Sequence, residues 1–375
     1  MEIWSDESRQ VNSGAMMSER DSNSTNNFDS LRLIFAVLVI LSHAYPLGKG
    51  SNATEPLYMI TRGQTTIGNL SVWGFFVISG YLITQSWLRS PSVIRFLKRR
   101  IGRIYPGFIV ASLVTAVVIV PIATDAHTYT RIFTNNFLSN TFRLQLFAVP
   151  PVFTKNASAN ALNGSLWSIA YEFWCYLGVM ALGVCGLLRR RSLVLMLFLC
   201  AVIWHLYMDV TGWNPGGRIL GEIFGYPLFW ATVLPFFLAG MLLQLFGGRI
   251  LVRAPIVICA VLTLIASYFV PHGIIVTLPM CGAYTLLALG YLPALNFLNL
   301  GRYGDFSYGV YLHAFPIEQL VVMTAGGSMN PLKLFAIAWP ISLVAGSLSW
   351  FLVEKHFLSK PAQLKHEGKQ TGAPN

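Results

Sequence analysis

The chain has 375 residues; 54% are hydrophobic in type, 11% are charged, and the formal net charge is +11. Soluble globular proteins carry about 25% charged residues, so a water-soluble fold of this length lacks the polar cover it would need. The positive charge does not point to nucleic acid: the lysines and arginines fall in short runs between long apolar stretches, a pattern that orients membrane helices and meets anionic headgroups.

Taken in chain order, residues 1–27 are polar, rich in Ser, Asn and acidic groups, and read as a disordered tail. No cleavable signal is visible there, so the first apolar segment is expected to act as an uncleaved membrane signal. A helix needs about 20 mostly apolar residues to cross the hydrocarbon core. That length gives ten candidate spans, at 29–47, 67–87, 104–123, 164–187, 192–209, 225–246, 255–270, 274–292, 306–325 and 332–353. The expected fold class is therefore all-α: a transmembrane helix bundle over residues 28–358, followed by a tail at 359–375. Ten spans put both termini on one side. Sixteen lysines and arginines of the loops and C-terminal tail fall on that side and six on the other; by the positive-inside rule both termini are cytoplasmic. The loop at about 124–163 then lies outside, where it could cover a substrate entrance. Cys175, Cys185, Cys200, Cys259 and Cys281 all sit in apolar segments without metal-ligand spacing, so no metal is expected.

A charged side chain at mid-bilayer costs about 2.5–3.5 kcal/mol on insertion scales, so each one within a span calls for a reason. The first span holds Asp29, Arg32, Ser42 and His43. Arg32 and His43 are eleven residues apart, close to three helical turns, and so share a face at a separation of roughly 16 Å along the axis. Alone, Arg32 could snorkel to the interface or pair with Asp29 at i, i+3. Alone, His43 could be a capped interfacial histidine. The second span has Gly74, Ser79 and Gly80, small residues that permit close helix approach. Arg95, Arg99, Arg100 and Arg103 follow it. They serve either as an orientation signal or as a clamp for phosphates, which guanidinium forks bind in bidentate fashion. In the fourth span Ser168, Glu172 and Tyr176 share a face. A buried membrane carboxylate there is a functional group or one half of a structural ion pair. The ninth span carries Tyr308, Tyr311, His313 and Glu318. His313 and Glu318 are five apart, do not share a face well, and rank second.

These segments, in this order, resemble the acyltransferase family 3 of membrane O-acyltransferases, polysaccharide-modifying type. The resemblance rests on Arg-x10-His (Arg32, His43), on Phe-Phe-Val-Ile-Ser-Gly-Tyr-Leu-Ile at 75–83, and on Arg-x-x-Arg (Arg100, Arg103) followed by Ile-Tyr-Pro. It also rests on Ser-Leu-Trp-Ser-x-x-x-Glu ending at Glu172, Ser-Tyr-x-x-Tyr-Leu at 307–312, and Val-Glu-Lys at 353–355. Two positions depart from the pattern: Trp73 stands where an acidic residue is common, and the histidine of the ninth helix is at 313 rather than at Ala314.

The resemblance implies an integral-membrane enzyme, in a bacterial inner membrane, that moves an acyl group (acetyl being the expected one) from acyl-CoA to a hydroxyl of a cell-surface or exported carbohydrate or glycolipid. It implies acyl-CoA as co-substrate, approaching from the cytoplasm with Arg100 and Arg103 on its phosphates and Arg32 lining the way. His43 is the expected general base: an unperturbed pKa of about 6.5 leaves it largely neutral at pH 7. Glu172 is expected to orient His43 or to bind acceptor hydroxyls, and an acyl-histidine relay is a variant. Read on physics alone, a helical bundle with buried charges suits a secondary transporter or lipid-linked sugar translocase equally well.

Overall fold

The computed structural model describes residues 26–124, 137–145, 151–216, 221, 223–246, 253–298 and 300–358. The expected tails at 1–25 and 359–375, and residues 125–136 and 146–150 of the long loop, lie outside the described residues. So do Arg131, Arg218 and Arg249 of the charge count. The described residues contain no strand. Their long helices are α1 Phe28–Lys49, α2 Ile67–Arg89, α3 Val93–Ala123, α4 Trp167–Val184, α5 Arg191–Thr211, α6 Pro227–Phe246, α7 Ala254–Ser267, α8 Gly273–Gly290, α9 Ser307–Thr324 and α10 Pro331–Phe357. Each overlaps one of the segments expected from the sequence; α3 differs most, starting at Val93 and not 104, so that Arg95, Arg99, Arg100 and Arg103, counted as loop residues, are helical.

Eight of them are long and apolar enough to cross a membrane. α7, with 14 residues, is short. α9 has 18 residues but carries His313, Glu318 and Gln319, and so falls outside the apolar set. It is nonetheless among the best-covered helices, packed against α1 and α10; its polar groups face protein, not lipid.

Helix ends follow local chemistry. α1 has Asp29 in its first turn and Lys49 in its last, each favourable to the helix dipole. It ends at Gly50, whose φ of 74° is the left-handed conformation that glycine adopts without a Cβ penalty. Thr66 caps α2 by accepting from the Asn69 amide at 3.0 Å. Pro331 opens α10 behind an Asn330 cap. The fully buried Glu55 accepts from the amides of Tyr58 and Ile67, each at 2.6 Å, and from the Ser42 hydroxyl. This buried carboxylate is fully satisfied and fastens the loop that leads into α2.

The tightest crossing is α2 on α6. A Cβ on Gly80 would collide with the Phe237 carbonyl, and one on Gly240 with the Val77 carbonyl, so the two glycines let the backbones meet reciprocally. Trp73, at the position that departs from the family pattern, stacks on Phe236 of α6 with centroids 4.6 Å apart. It belongs to this packing. Three helices contain a wide π turn, at Thr115–Ile119, Leu278–Gly282 and Trp350–Glu354.

Candidate active site

α1 and α9 lie side by side and supply polar groups at two levels. The first level is near the start of both helices. There a cavity of about 60 Å³ is lined by Arg32, Arg103, Glu172, Tyr176, Tyr308 and Tyr311, among others. Asp305, in the lead-in to α9, ties the cations together: its Oδ2 pairs with Arg103 and stands 3.8 Å from Arg32. Arg32 is also 3.9 Å from Asp29, the expected i, i+3 partner. Its side chain is only 17% exposed and faces the cavity, so it does not snorkel. Burial pushes the Asp305 carboxyl up, but Arg103, Arg32 and the Ser307 hydroxyl and amide pull it down further, to below its ordinary value of 3.8.

Glu172 accepts from the hydroxyls of Ser79 on α2 and Tyr176 on its own helix, the latter at 2.5 Å. The second helix's Ser79 therefore does more than permit close packing: it fixes a carboxylate in the cavity. Ser168 shares a hydrogen bond of 2.8 Å with Tyr311, which joins α4 to α9. Arg100 borders the same region, with its guanidinium over the rings of Phe96 and Tyr176, 5.7 Å from each.

The second level is three turns further along α1. His43 is not among the residues lining the first cavity. Its ring lies edge-on to Phe315, with centroids 5.2 Å apart. Its Nδ1 is buried without a hydrogen-bond partner and faces Glu318 Oε2 at 4.0 Å. Glu318 is fully buried, and neither of its carboxylate oxygens has a partner. A quarter of the His43 side chain remains exposed, so with Nδ1 sealed, the ring keeps an accessible face.

The carboxyl that faces His43 is Glu318, ranked second by sequence. Glu172, expected to orient His43 or to bind acceptor hydroxyls, lies at the other level, hydrogen-bonded to Ser79 and Tyr176 and away from His43. Face-sharing within one helix could not reveal the pairing of His43 with Glu318, because its members lie on different helices. Depth could have: each stands six residues before the end of its helix, His43 before Lys49 and Glu318 before Thr324. Asp305 was likewise invisible to a search for charges within spans, since it sits just outside one. Arg100 and Arg103, expected to act alike, differ: Arg103 is held by a carboxylate, and Arg100 lies between two aromatic rings. Among the described residues no group of His, Cys, Asp and Glu has the arrangement of a metal site.

A bundle with eight helices long and apolar enough to cross a membrane, an arginine-lined cavity at one level and a histidine facing a buried carboxyl at another, is that of a multi-pass integral-membrane protein. The model of the acyltransferase domain family, acyltransferase 3, matches residues 25–354, and the chain belongs to that family. It is a membrane acyltransferase. An O-acetyl transferase of Shigella phage Sf6 is 30% identical over 342 residues, which cover 90% of this chain and 97% of the relative. Nodulation protein 10 of Rhizobium leguminosarum bv. viciae is 26% identical over 375 residues, 90% of this chain and 94% of the relative. No solved structure matches the chain.

Proposed function

We propose that this acyltransferase moves an acetyl group from acetyl-CoA to a hydroxyl of a cell-surface or exported carbohydrate. Both termini face the cytoplasm of a bacterial inner membrane, and donor and acceptor enter from opposite sides. The observation that carries the reading is the placement of a buried histidine–carboxylate pair and an arginine-lined cavity on one helix, about 16 Å apart. The carbohydrate class of acceptor rests on the family resemblance; the relatives' names support O-acetyl transfer and name no acceptor.

On this reading His43 is the general base. With Nδ1 turned to Glu318, Nε2 is the nitrogen left to accept the acceptor's hydroxyl proton. The freed oxygen attacks the thioester carbonyl, the carbon–sulfur bond breaks, and the CoA thiolate leaves to take up a proton. Glu318 favours the imidazolium formed in that step and fixes which ring nitrogen carries hydrogen. Arg100 meets the donor's phosphates from the cytoplasmic side, and Arg32, inside the cavity, lines the path of its acyl arm.

The test is transfer from labelled acetyl-CoA in membranes containing the protein, with mass spectrometry of surface glycans from cells with and without it. The expected result is an acetyl mass present only with the protein and lost in His43→Ala. Full transfer by His43→Ala would remove the mechanism. Glycan export or uptake without acetyl-CoA consumption would favour a translocase.

A further inference from the structure

Arg100 and Arg103 are three residues apart on α3 and have unlike surroundings. Among the described residues no carboxylate pairs with Arg100. Arg103 faces two. Asp305 pairs with it directly and also stands 3.8 Å from Arg32. Glu354, in the π turn of α10, is 2% exposed; it lies beyond ion-pair distance of Arg103 but on the same side of α3, against Gly107 and next to Tyr308, whose ring Arg103 covers. Its Oε1 accepts from the Ser349 hydroxyl at 2.7 Å, while Oε2 is sealed from solvent without a partner.

This carboxylate has a slot built for it. A Cβ at Gly107 of α3 would stand 3.4 Å from the Glu354 carboxyl carbon, and one at Gly309 of α9 would stand 3.0 Å from its Oε1. The π turn adds a residue to the helical register at that point. Glu354 is turned inward while Phe351 and Leu352, in the same turn, stay exposed. The lead-in to α9 thus brings one carboxylate to Arg103, and the end of α10 brings a second into the slot left by the glycines of α3 and α9. Tyr308 completes the enclosure, with its ring 5.6 Å from the Arg103 guanidinium carbon.

We propose that Asp305 and Glu354 are positioning residues. They form a carboxylate cradle that fixes Arg103 and, through Asp305, Arg32 in the wall of the donor cavity. Arg100 is left as the cation that meets the donor's phosphates. The proposal rests on the acyl-CoA reading above. It assigns to the end of the tenth helix a part in donor binding that its distance in sequence from the arginines conceals.

The experiment measures acetyl-CoA binding to the purified full-length protein by titration calorimetry, with a melting curve taken for every variant. Glu354→Gln and Asp305→Asn, both isosteric, are expected to weaken binding by about 5–20-fold, and Asp305→Glu to restore most of the loss. In an Arg103→Gln background Glu354→Gln is expected to cost less than about twofold more, because its effect runs through Arg103. A residue that merely stabilised the fold would lower the melting temperature and give additive effects. Should Asp305→Asn fail to fold, Glu354→Gln carries the same comparison. If the wild-type protein does not bind acetyl-CoA, the donor reading fails. If it binds, and the neutral variants bind as tightly or more tightly, or the effects simply add, the cradle is overturned.

Discussion

The carboxyl nearest His43 is that of Glu318, with Oε2 4.0 Å from Nδ1, and it has no hydrogen-bond donor of its own among the described residues. Leaving a buried carboxylate in that condition costs stability, so its retention beside an imidazole asks for a functional reason. Glu318→Gln keeps the shape and removes the carboxyl that stands beside the ring. Its kcat should fall about 10–100-fold, less than the roughly 10²–10⁴-fold expected of His43→Ala, with the KM for acetyl-CoA unchanged; steady-state kinetics at saturating acceptor would check this. Asp305 gives a prediction in pH. Its folded carboxyl lies below the ordinary value of 3.8. The stability it contributes is therefore complete above that value and is lost as pH falls through the lower folded one. The melting-temperature gap between wild type and Asp305→Asn should stay flat from neutral pH down to about pH 5 and close only in stronger acid. A gap that closed between pH 7 and pH 5 would mean that the pair is not held as described.

Among the elements, α2 and α6 are joined by the reciprocal approach of Gly80 and Gly240, and α9 by its polar face. A valine at position 80 would push its side chain into the Phe237 carbonyl. Gly80→Val should therefore destabilise the bundle by about 1–3 kcal/mol, the usual cost of overpacking, read as a lowered melting temperature in detergent. Because α2 also carries Ser79, whose hydroxyl binds Glu172, the same substitution should reduce turnover beyond the loss of folded protein. α9 shows why hydropathy alone underrates a functional helix. Three of the residues that lower its hydropathy, Tyr308, Tyr311 and Gln319, make the hydrogen bonds that bind it to α3, α4 and the loop at 156–161. A helix shielded by protein on most sides has no need to be soluble in lipid.

At the scale of the molecule, the proposed reading has the two polar levels on α1 divide the work between the ends of the bundle. The division has meaning only if the ends face different compartments. With the arginine end inside, green fluorescent protein fused to the C-terminus should fluoresce, and a membrane-impermeant thiol reagent applied to intact cells should not reach a cysteine placed in the turn at Arg189–Arg191. Labelling of that turn from outside would reverse the assignment of donor and acceptor sides.

By itself the amino-acid sequence determined the class of protein, the position of each long helix, and the one-dimensional stripe that sets Arg32 and His43 on a single face. These depend on apolar length and helical period, which are local properties. The family motifs, too, lie in contiguous segments. Only the tertiary structure decided which group from another segment stands beside which carboxyl: His43 beside Glu318, Arg103 and Arg32 beside Asp305, Ser79 beside Glu172. Electrostatic partners in a bundle are chosen by depth and by the order in which helices pack. Both are relations between segments hundreds of residues apart, and no period within one helix encodes them. The π turn that brings Glu354 inward belongs to the same group, since it departs from the regular spacing on which reading a helix face depends.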